Sequence, residues 1–267
     1  MHRRLAAISV VATASLALTG LAPGASANTS AHPGHGALIP AVKNAVLPTR
    51  NAEVSSLNWS GYATAPGSGI TGVKSTFKVP TVSIAPPGFA ANWTGIGGYN
   101  TQDLIQAGTS EDELQGYYAW YEILPASETE IFNCSTDSNC TVDPGNIMTV
   151  DIHNVGANLW SVSIANNTRG WTWQQNISYA SSESSAEWIF EAPTVGVQTI
   201  PANTGTNYFG PTSTFTTASG THTIAQGNPD KIDMGFLVNE ATPSALNSNG
   251  QSFNVCAYQQ SCPTPAS

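Results

Sequence analysis

From about residue 51 onward, apolar positions come in short runs rich in Val, Ile, Thr, Tyr and Trp, separated by clusters of Gly, Pro, Asn and Ser. That pattern is one of short strands joined by turns. It predicts strands near 57–64, 70–79, 90–98, 103–108, 115–124, 146–154, 157–166, 170–178, 186–191, 196–200, 207–216, 221–225, 232–238 and 251–257. Helical periodicity is almost absent, and no internal repeat, coiled-coil heptad or run of like charge appears. So many short strands in one stretch imply an all-β domain, a sandwich or a barrel.

The run Ala186-Glu187-Trp188-Ile189-Phe190-Glu191, closed by Ala192-Pro193, is the most informative. Alternation along a strand puts Ala186, Trp188 and Phe190 on one face, expected to be core, and Glu187, Ile189 and Glu191 on the other. Two carboxylates flanking an isoleucine are either surface acids or part of a site. Four other segments carry more Trp, Gly and Gln than a core needs. They are Asn58-Trp59-Ser60-Gly61-Tyr62-Ala63, Trp93-Thr94-Gly95-Ile96-Gly97-Gly98, Leu104-Ile105-Gln106-Ala107-Gly108 and Tyr117-Tyr118-Ala119-Trp120-Tyr121-Glu122. Gln106 reads as a satisfied buried amide or as a placed hydrogen-bond donor. Tyr118, Trp120 and Glu122 share a face that either lines a groove or forms a plain β surface.

The ends of the chain differ from this. Residues 1–27 have a basic start (His2-Arg3-Arg4), an apolar run from Leu5 to Leu21 and a small-residue Ala25-Ser26-Ala27 site, as a secretory signal peptide does. A membrane anchor fits less well, given the many Ala, Ser and Thr residues and Pro23-Gly24. No other long apolar run occurs, so a secreted, extracellular protein with no membrane attachment is expected. Residues 28–50, rich in Ala, Pro, Gly and His, read as a propeptide or linker, leaving 51–267 as one domain.

Charge is divided unevenly. Residues 1–50 hold four of the eight basic residues and none of the 17 acidic ones, so 51–267 carries four against 17, a formal charge of −13. That argues against nucleic acid and anionic membranes as partners. It also suits work in acid, because protonated carboxylates leave few charges to repel one another. The basic residues Lys43 and Arg50, with His32 and His35, face this acidic domain and suggest an electrostatic hold that fades as carboxylates protonate. The four cysteines fall as two Cys-x5-Cys pairs, Cys134/Cys140 and Cys256/Cys262. In an exported chain these read as two local disulfides, each contributing roughly 2 kcal/mol. No His lies near either pair, so zinc is not expected. Asn166 and Asn176 open Asn-x-Ser/Thr sequons.

Common catalytic signatures are missing. There is no His-Glu-x-x-His, no Gly-x-Ser-x-Gly and no Asp-Thr-Gly or Asp-Ser-Gly. Paired cysteines leave no thiolate nucleophile. Nothing points to a Ser–His–Asp relay through His153 or His222. Carboxylate chemistry with amides and aromatics around it is what remains.

NWSGYA (58–63), WTGIGG (93–98), LIQAG (104–108), YYAWYEILP (117–125) and AEWIFE (186–191) together resemble the glutamic peptidases, or eqolisins, in order and spacing. The chain looks like a bacterial-type member. The resemblance implies a β-sandwich of two antiparallel, about seven-stranded sheets, concanavalin-like, with peptide substrate in a concave groove. It implies a catalytic dyad of Glu191 and Gln106, with Trp93, Trp120 and Glu122 lining the site, and no metal or other cofactor. In the implied reaction Glu191 is the general base for a water, and Gln106 donates to the oxyanion. Gly97 and Tyr118 stand where fungal members carry acids. Glu187 is at most a supporting residue. A pepstatin-insensitive acid endopeptidase acting as a monomer on proteins or peptides follows from this resemblance.

The competing expectation is a concanavalin-like glycosidase or lectin, with sugar in the same groove. Glu187 and Glu191 would lie about 13 Å apart on a regular strand, beyond the roughly 5–9.5 Å a glycosidase pair needs. Glu122 with Glu191 is the pair left to that alternative.

Overall fold

The computed structural model describes residues 33–41, 51–64, 67, 69–83, 88–112, 116–235, 238–259 and 261–266, all within one compact unit, Ala31–Ser267. The signal-peptide expectation for 1–27 and the basic residues His32, Lys43 and Arg50 lie outside the described residues. Among those described, the strands are β1 (Glu53–Ser56), β2 (Trp59–Ala63), β3 (Gly72–Lys78), β4 (Phe89–Gly97), β5 (Leu104–Asp112), β6 (Gly116–Ile123), β7 (Thr129–Glu130), β8 (Ile147–Gly156), β9 (Leu159–Asn166), β10 (Trp171–Ser178), β11 (Ala186–Glu191), β12 (Thr194–Val195), β13 (Val197–Gln198), β14 (Thr206–Phe209), β15 (Thr214–Thr217), β16 (Gly220–Thr223), β17 (Asp230–Met234), β18 (Ala241–Pro243) and β19 (Phe253–Ala257).

Their pairing makes two layers. One runs β7-β6-β5-β4-β11-β2-β17-β1. The other runs β10-β9-β8-β3, where β3 continues to β15 and β16 along one part of its edge and to β14 and β19 along another. Short β18 pairs with both β17 and β19 and joins the layers. All of these pairs are antiparallel except β1 with β17. The expected all-β antiparallel sandwich is the observed architecture.

Some elements differ from expectation for local reasons. The predicted strand 207–216 is two strands, β14 and β15, parted at Gly210-Pro211, where Pro211 has no N–H for a ladder. The predicted strand 221–225 ends in a 3-10 turn, Ile224–Gly227. Region 196–200 holds only two-residue β13, which pairs back onto β12 just before it. Strand β1 escaped notice because Glu-Val-Ser-Ser carries a single apolar residue.

Trp188 and Phe190 of β11 lie between the layers with Ile96, Val150, Val162 and Phe253. The inward face read from the sequence is therefore the inter-layer core. Trp188 also donates through Nε1 to the Lys74 carbonyl at 3.0 Å, so the indole is buried with its polar atom satisfied. The opposite face of β11 is equally buried. Ile189 packs there in a second cluster with Trp59, Trp93, Trp120 and Leu104, and Leu38 from residues 33–41 joins it. Both expected disulfides, Cys134–Cys140 and Cys256–Cys262, are formed. The Asn166 sequon is closed: its amide is buried and donates to the Thr141 carbonyl and to Asn146. Asn176 is exposed.

Candidate active site

The groove is built by register. Across β11, β4, β5 and β6, Glu187, Gly95, Gln106 and Glu122 stand in one row, and Ile189, Trp93, Gly108 and Trp120 in the next. Glu191, Ala91, Ser110 and Tyr118 form a third. A slip of one residue on any strand would turn its members into the inter-layer core. The two glycines matter sterically. A Cβ on Gly95 would lie 3.0 Å from the Gln106 Cβ, and one on Gly108 would lie 2.6 Å from the Trp93 Cβ. Their absence of side chains lets Gln106 and Trp93 lie across the sheet.

Glu191 is held by donors. Trp93 Nε1 reaches its Oε2 at 2.6 Å, and Asn58 Nδ2 lies 3.5 Å from Oε1. Trp93 is itself braced edge-on by Trp59, with ring centroids 4.9 Å apart at 76°. Gln106 Nε2 donates to Glu122 Oε2 at 2.9 Å, while Gln106 Oε1 is buried and takes no hydrogen bond among the described residues. A further acid, Glu128, reaches the groove from the turn after β6, and Tyr118 Oη donates to its Oε1 at 2.9 Å.

Residues 33–41 lie in this groove. Gly34 and Thr194 exchange backbone hydrogen bonds of 2.8 and 2.9 Å. Trp59 Nε1 donates to the Gly36 carbonyl at 3.0 Å, Asn58 Nδ2 to the Ala37 carbonyl at 3.2 Å, and the Leu38 amide to the Gly98 carbonyl at 3.0 Å. His35 sits at the centre and is fully buried. Its ring stacks on Trp120 with centroids 3.8 Å apart and planes at 4°. Nε2 lies 2.9 Å from Glu128 Oε2, and Nδ1 lies 3.2 Å from Glu191 Oε2. The His35 amide donates to Glu122 Oε2 at 3.1 Å, and its carbonyl accepts from Gln106 Nε2 at 2.8 Å. Two acceptors on one side of the Gln106 amide fix which of its atoms is nitrogen.

Burial shapes the acid–base properties. It raises the Glu191 carboxyl, opposed by His35, Trp93 and the Gly36 amide. It pushes Glu122 up to about 8; His35 opposes this, and the charges of Glu191 and Glu128 add to it. Glu187, buried in the same row as Gln106, is raised well above the usual range. Burial alone would lower His35, but its bonds to Glu128 and Glu191 and their charges outweigh that and lift it to about 10. The sign at His35 is clear. A group whose pKa rises from 6.5 on entering the groove contributes fully below 6.5 and loses that contribution as pH climbs through about 10. His35 itself therefore stays charged in acid, and its hold there turns on its carboxylate partners.

The five site residues expected from the sequence, Glu191, Gln106, Trp93, Trp120 and Glu122, share the groove face. Gln106 and Glu191 make no direct hydrogen bond with each other; each holds a different atom of His35. Sequence reasoning missed Glu128, Ser110, Asn58 and the central position of His35. The signals for His35 were its place among the basic residues set against an acidic domain and its frame of glycines, Gly34-His35-Gly36. The other histidines assemble no Ser–His–Asp relay among the described residues. His153 pairs with Asp151 alone, and His222 meets Ser219 and Thr217 without a carboxylate. Among the described residues no group of three or more His, Cys, Asp or Glu side chains is arranged to hold a metal ion.

Fold and groove together define a β-sandwich with a buried carboxylate, Glu191, and a buried amide, Gln106, on one groove face. The Peptidase A4 family model matches residues 57–257, and the chain belongs to that family: it is a glutamic-type peptidase. Solved structures agree in fold. Scytalido-glutamic peptidase with a transition state analog inhibitor has a TM-score of 0.62 and 19% identity, over 75% of this chain and 98% of that one. A second complex of that enzyme, with a peptide-based transition state analog, gives 0.61 and 18% over the same shares. SCP-B, a member of the eqolisin family bound to the tripeptide Ala-Ile-His, likewise gives 0.61 and 18%, covering 75% of this chain and 98% of its own. No curated protein matches the sequence. The family assignment sets the chain among peptidases and apart from the glycosidase or lectin alternative.

Proposed function

We propose that this glutamic peptidase is a secreted acid endopeptidase that cuts proteins and peptides with the Glu191/Gln106 dyad. The observation that carries this is the grip of both side chains on one stretch of backbone in the groove, Gln106 on the His35 carbonyl and Glu191 beside the following amide. Ionised Glu191 takes a proton from water as that water attacks the scissile carbonyl. Gln106 Oε1, buried and unpartnered among the described residues, steadies the water, while Nε2 donates to the developing oxyanion. Glu191 then returns the proton to the leaving nitrogen. Trp93 Nε1 keeps Glu191 in place and favours its ionised form. Glu122, carrying its proton in acid, accepts from Gln106 and orients the amide.

Residues 28–50 act as a propeptide whose described part, 33–41, covers the cleft. Export through residues 1–27 is in keeping with the two formed disulfides and with the absence, among the described residues, of a helix long and apolar enough to cross a membrane. The enzyme works as a monomer, without metal, nucleic acid or membrane as partner. A dyad of one carboxylate and one amide differs from an aspartate pair, so pepstatin does not inhibit. The test is digestion of a denatured protein from about pH 2 to about pH 7, with pepstatin and with a chelator. Proteolysis unaffected by either supports the reading. Inhibition by pepstatin, or no proteolysis by the folded, processed enzyme, contradicts it.

A further inference from the structure

Residues 34–38 are bonded to the groove through their backbone on both sides of one peptide unit. Gly34 is fixed to Thr194, Gly36 to Trp59, Ala37 to Asn58 and Leu38 to Gly98. Between these anchors the His35 carbonyl accepts from Gln106 Nε2 at 2.8 Å, and the Glu191 carboxylate stands 3.2 Å from Nδ1 of the same residue. The two halves of the dyad thus meet at one residue, His35, with Gln106 on its carbonyl. The His35 side chain fills a built pocket. Trp120 supplies a flat floor parallel to the imidazole, Glu128 supplies a carboxylate oxygen 2.9 Å from Nε2, and Ser110 Oγ lies 3.5 Å away. Tyr118 Oη anchors the far oxygen of Glu128. Glu128 and Ser110 are both more than nine-tenths buried.

We propose that His35–Gly36 is a bond this enzyme cuts in its own chain, and that Trp120, Tyr118, Ser110 and Glu128 form the subsite selecting a flat cationic side chain before the scissile bond. The proposal rests on the dyad reading above. Water adds its oxygen to the His35 carbonyl carbon and gives a proton to Glu191, while Gln106 Nε2 bonds the oxyanion. Collapse breaks the His35 C–Gly36 N bond, and the proton held on Glu191 goes to the Gly36 nitrogen. The products are a chain ending in the His35 carboxyl and a chain beginning with the Gly36 amine. The 3.2 Å contact of Nδ1 with Glu191, longer than the Nε2 contact with Glu128, is the one the attacking water replaces. An imidazolium or guanidinium satisfies both the Trp120 face and the Glu128 oxygen. An aliphatic residue would leave Glu128 buried without its cationic partner.

The experiment acidifies the full chain, reads the new N-terminus by mass spectrometry, and offers the processed enzyme a peptide of residues 30–41 beside the same peptide carrying His35→Leu. Expected are a chain beginning at Gly36, cleavage of the peptide between His35 and Gly36, and a drop in kcat/KM of about tenfold or more for the leucine peptide. Glu128→Gln should shrink that His-over-Leu ratio severalfold. An enzyme that digests denatured protein but leaves the 35–36 bond intact in both chain and peptide overturns this proposal and spares the dyad reading. Equal cleavage of the two peptides overturns the subsite. Failure of the folded enzyme to digest any protein overturns the dyad reading and this proposal with it.

Discussion

Replacing Trp93 with Phe removes one atom pair from the site while keeping most of the ring. Trp93 Nε1 donates to Glu191 Oε2 at 2.6 Å, the shortest bond to that carboxylate and one between a neutral donor and a buried anion. Bonds to charged groups contribute about 1.5–3 kcal/mol, and each pKa unit corresponds to about 1.4 kcal/mol. Loss of the donor therefore raises the Glu191 carboxyl by roughly one to two units. Water entering the processed groove in place of the indole N–H keeps the shift near the lower figure, about one unit. Because the base must be ionised to act, the acidic limb of the kcat/KM profile should move up in pH by about one unit. The assay is a pH series on a defined peptide with processed enzyme, with the melting curve as a control for folding. An acidic limb that stays in place in a folded Trp93→Phe enzyme would refute the assignment of Glu191 as the titrating base.

Two further predictions concern the neighbouring acids. Glu122, pushed up to about 8, is protonated in acid, so Glu122→Gln replaces like with like and should cost less than about tenfold in kcat below pH 6. A much larger loss there would show that Glu122 takes part in proton transfer. Folding stability should rise on acidification. Glu122 moves from 4.5 to about 8, and burial also raises Glu111 and Glu187 well above their ordinary range. Each then contributes fully below about 4.5 and loses that contribution as pH climbs to its folded value, and His35 loses its share as pH rises from 6.5 to about 10. Asp103, held below its ordinary 3.8, acts in the opposite direction only in stronger acid. Melting of the uncut Glu191→Gln chain should therefore occur at higher temperature near pH 5 than near pH 9. The reverse order would contradict the burial argument.

The sandwich was legible because period-2 alternation is local: Trp188 and Phe190 against Ile189 and Glu191 suffice to set the two faces of β11. The break at Gly210-Pro211 was not read, although its cause is equally local: the expected strand 207–216 ran through a proline that cannot join a ladder. The rows of the groove were not legible, because they depend on which strands pair and in which register, and β4 meets β11 across almost a hundred residues. Glu128 follows Pro125-Ala126-Ser127 in a turn, where an acid normally points to water. His35 lies 87 residues from Glu122 and 156 from Glu191, in a Gly- and Pro-rich segment with no periodicity. Net charge pointed to attraction between that segment and the acidic domain, but not to its pH dependence. It is set by individual partners and their burial, which composition does not contain.

The measurement that tests the central claim most directly is kcat for Glu191→Gln on a defined peptide at the wild-type optimum, with the melting curve confirming the fold. The substitution keeps shape and removes the base, so kcat should fall by about ten-thousandfold or more if proton transfer and placement of the water both go through Glu191. A folded Glu191→Gln enzyme within about tenfold of wild type would place the chemistry on another residue.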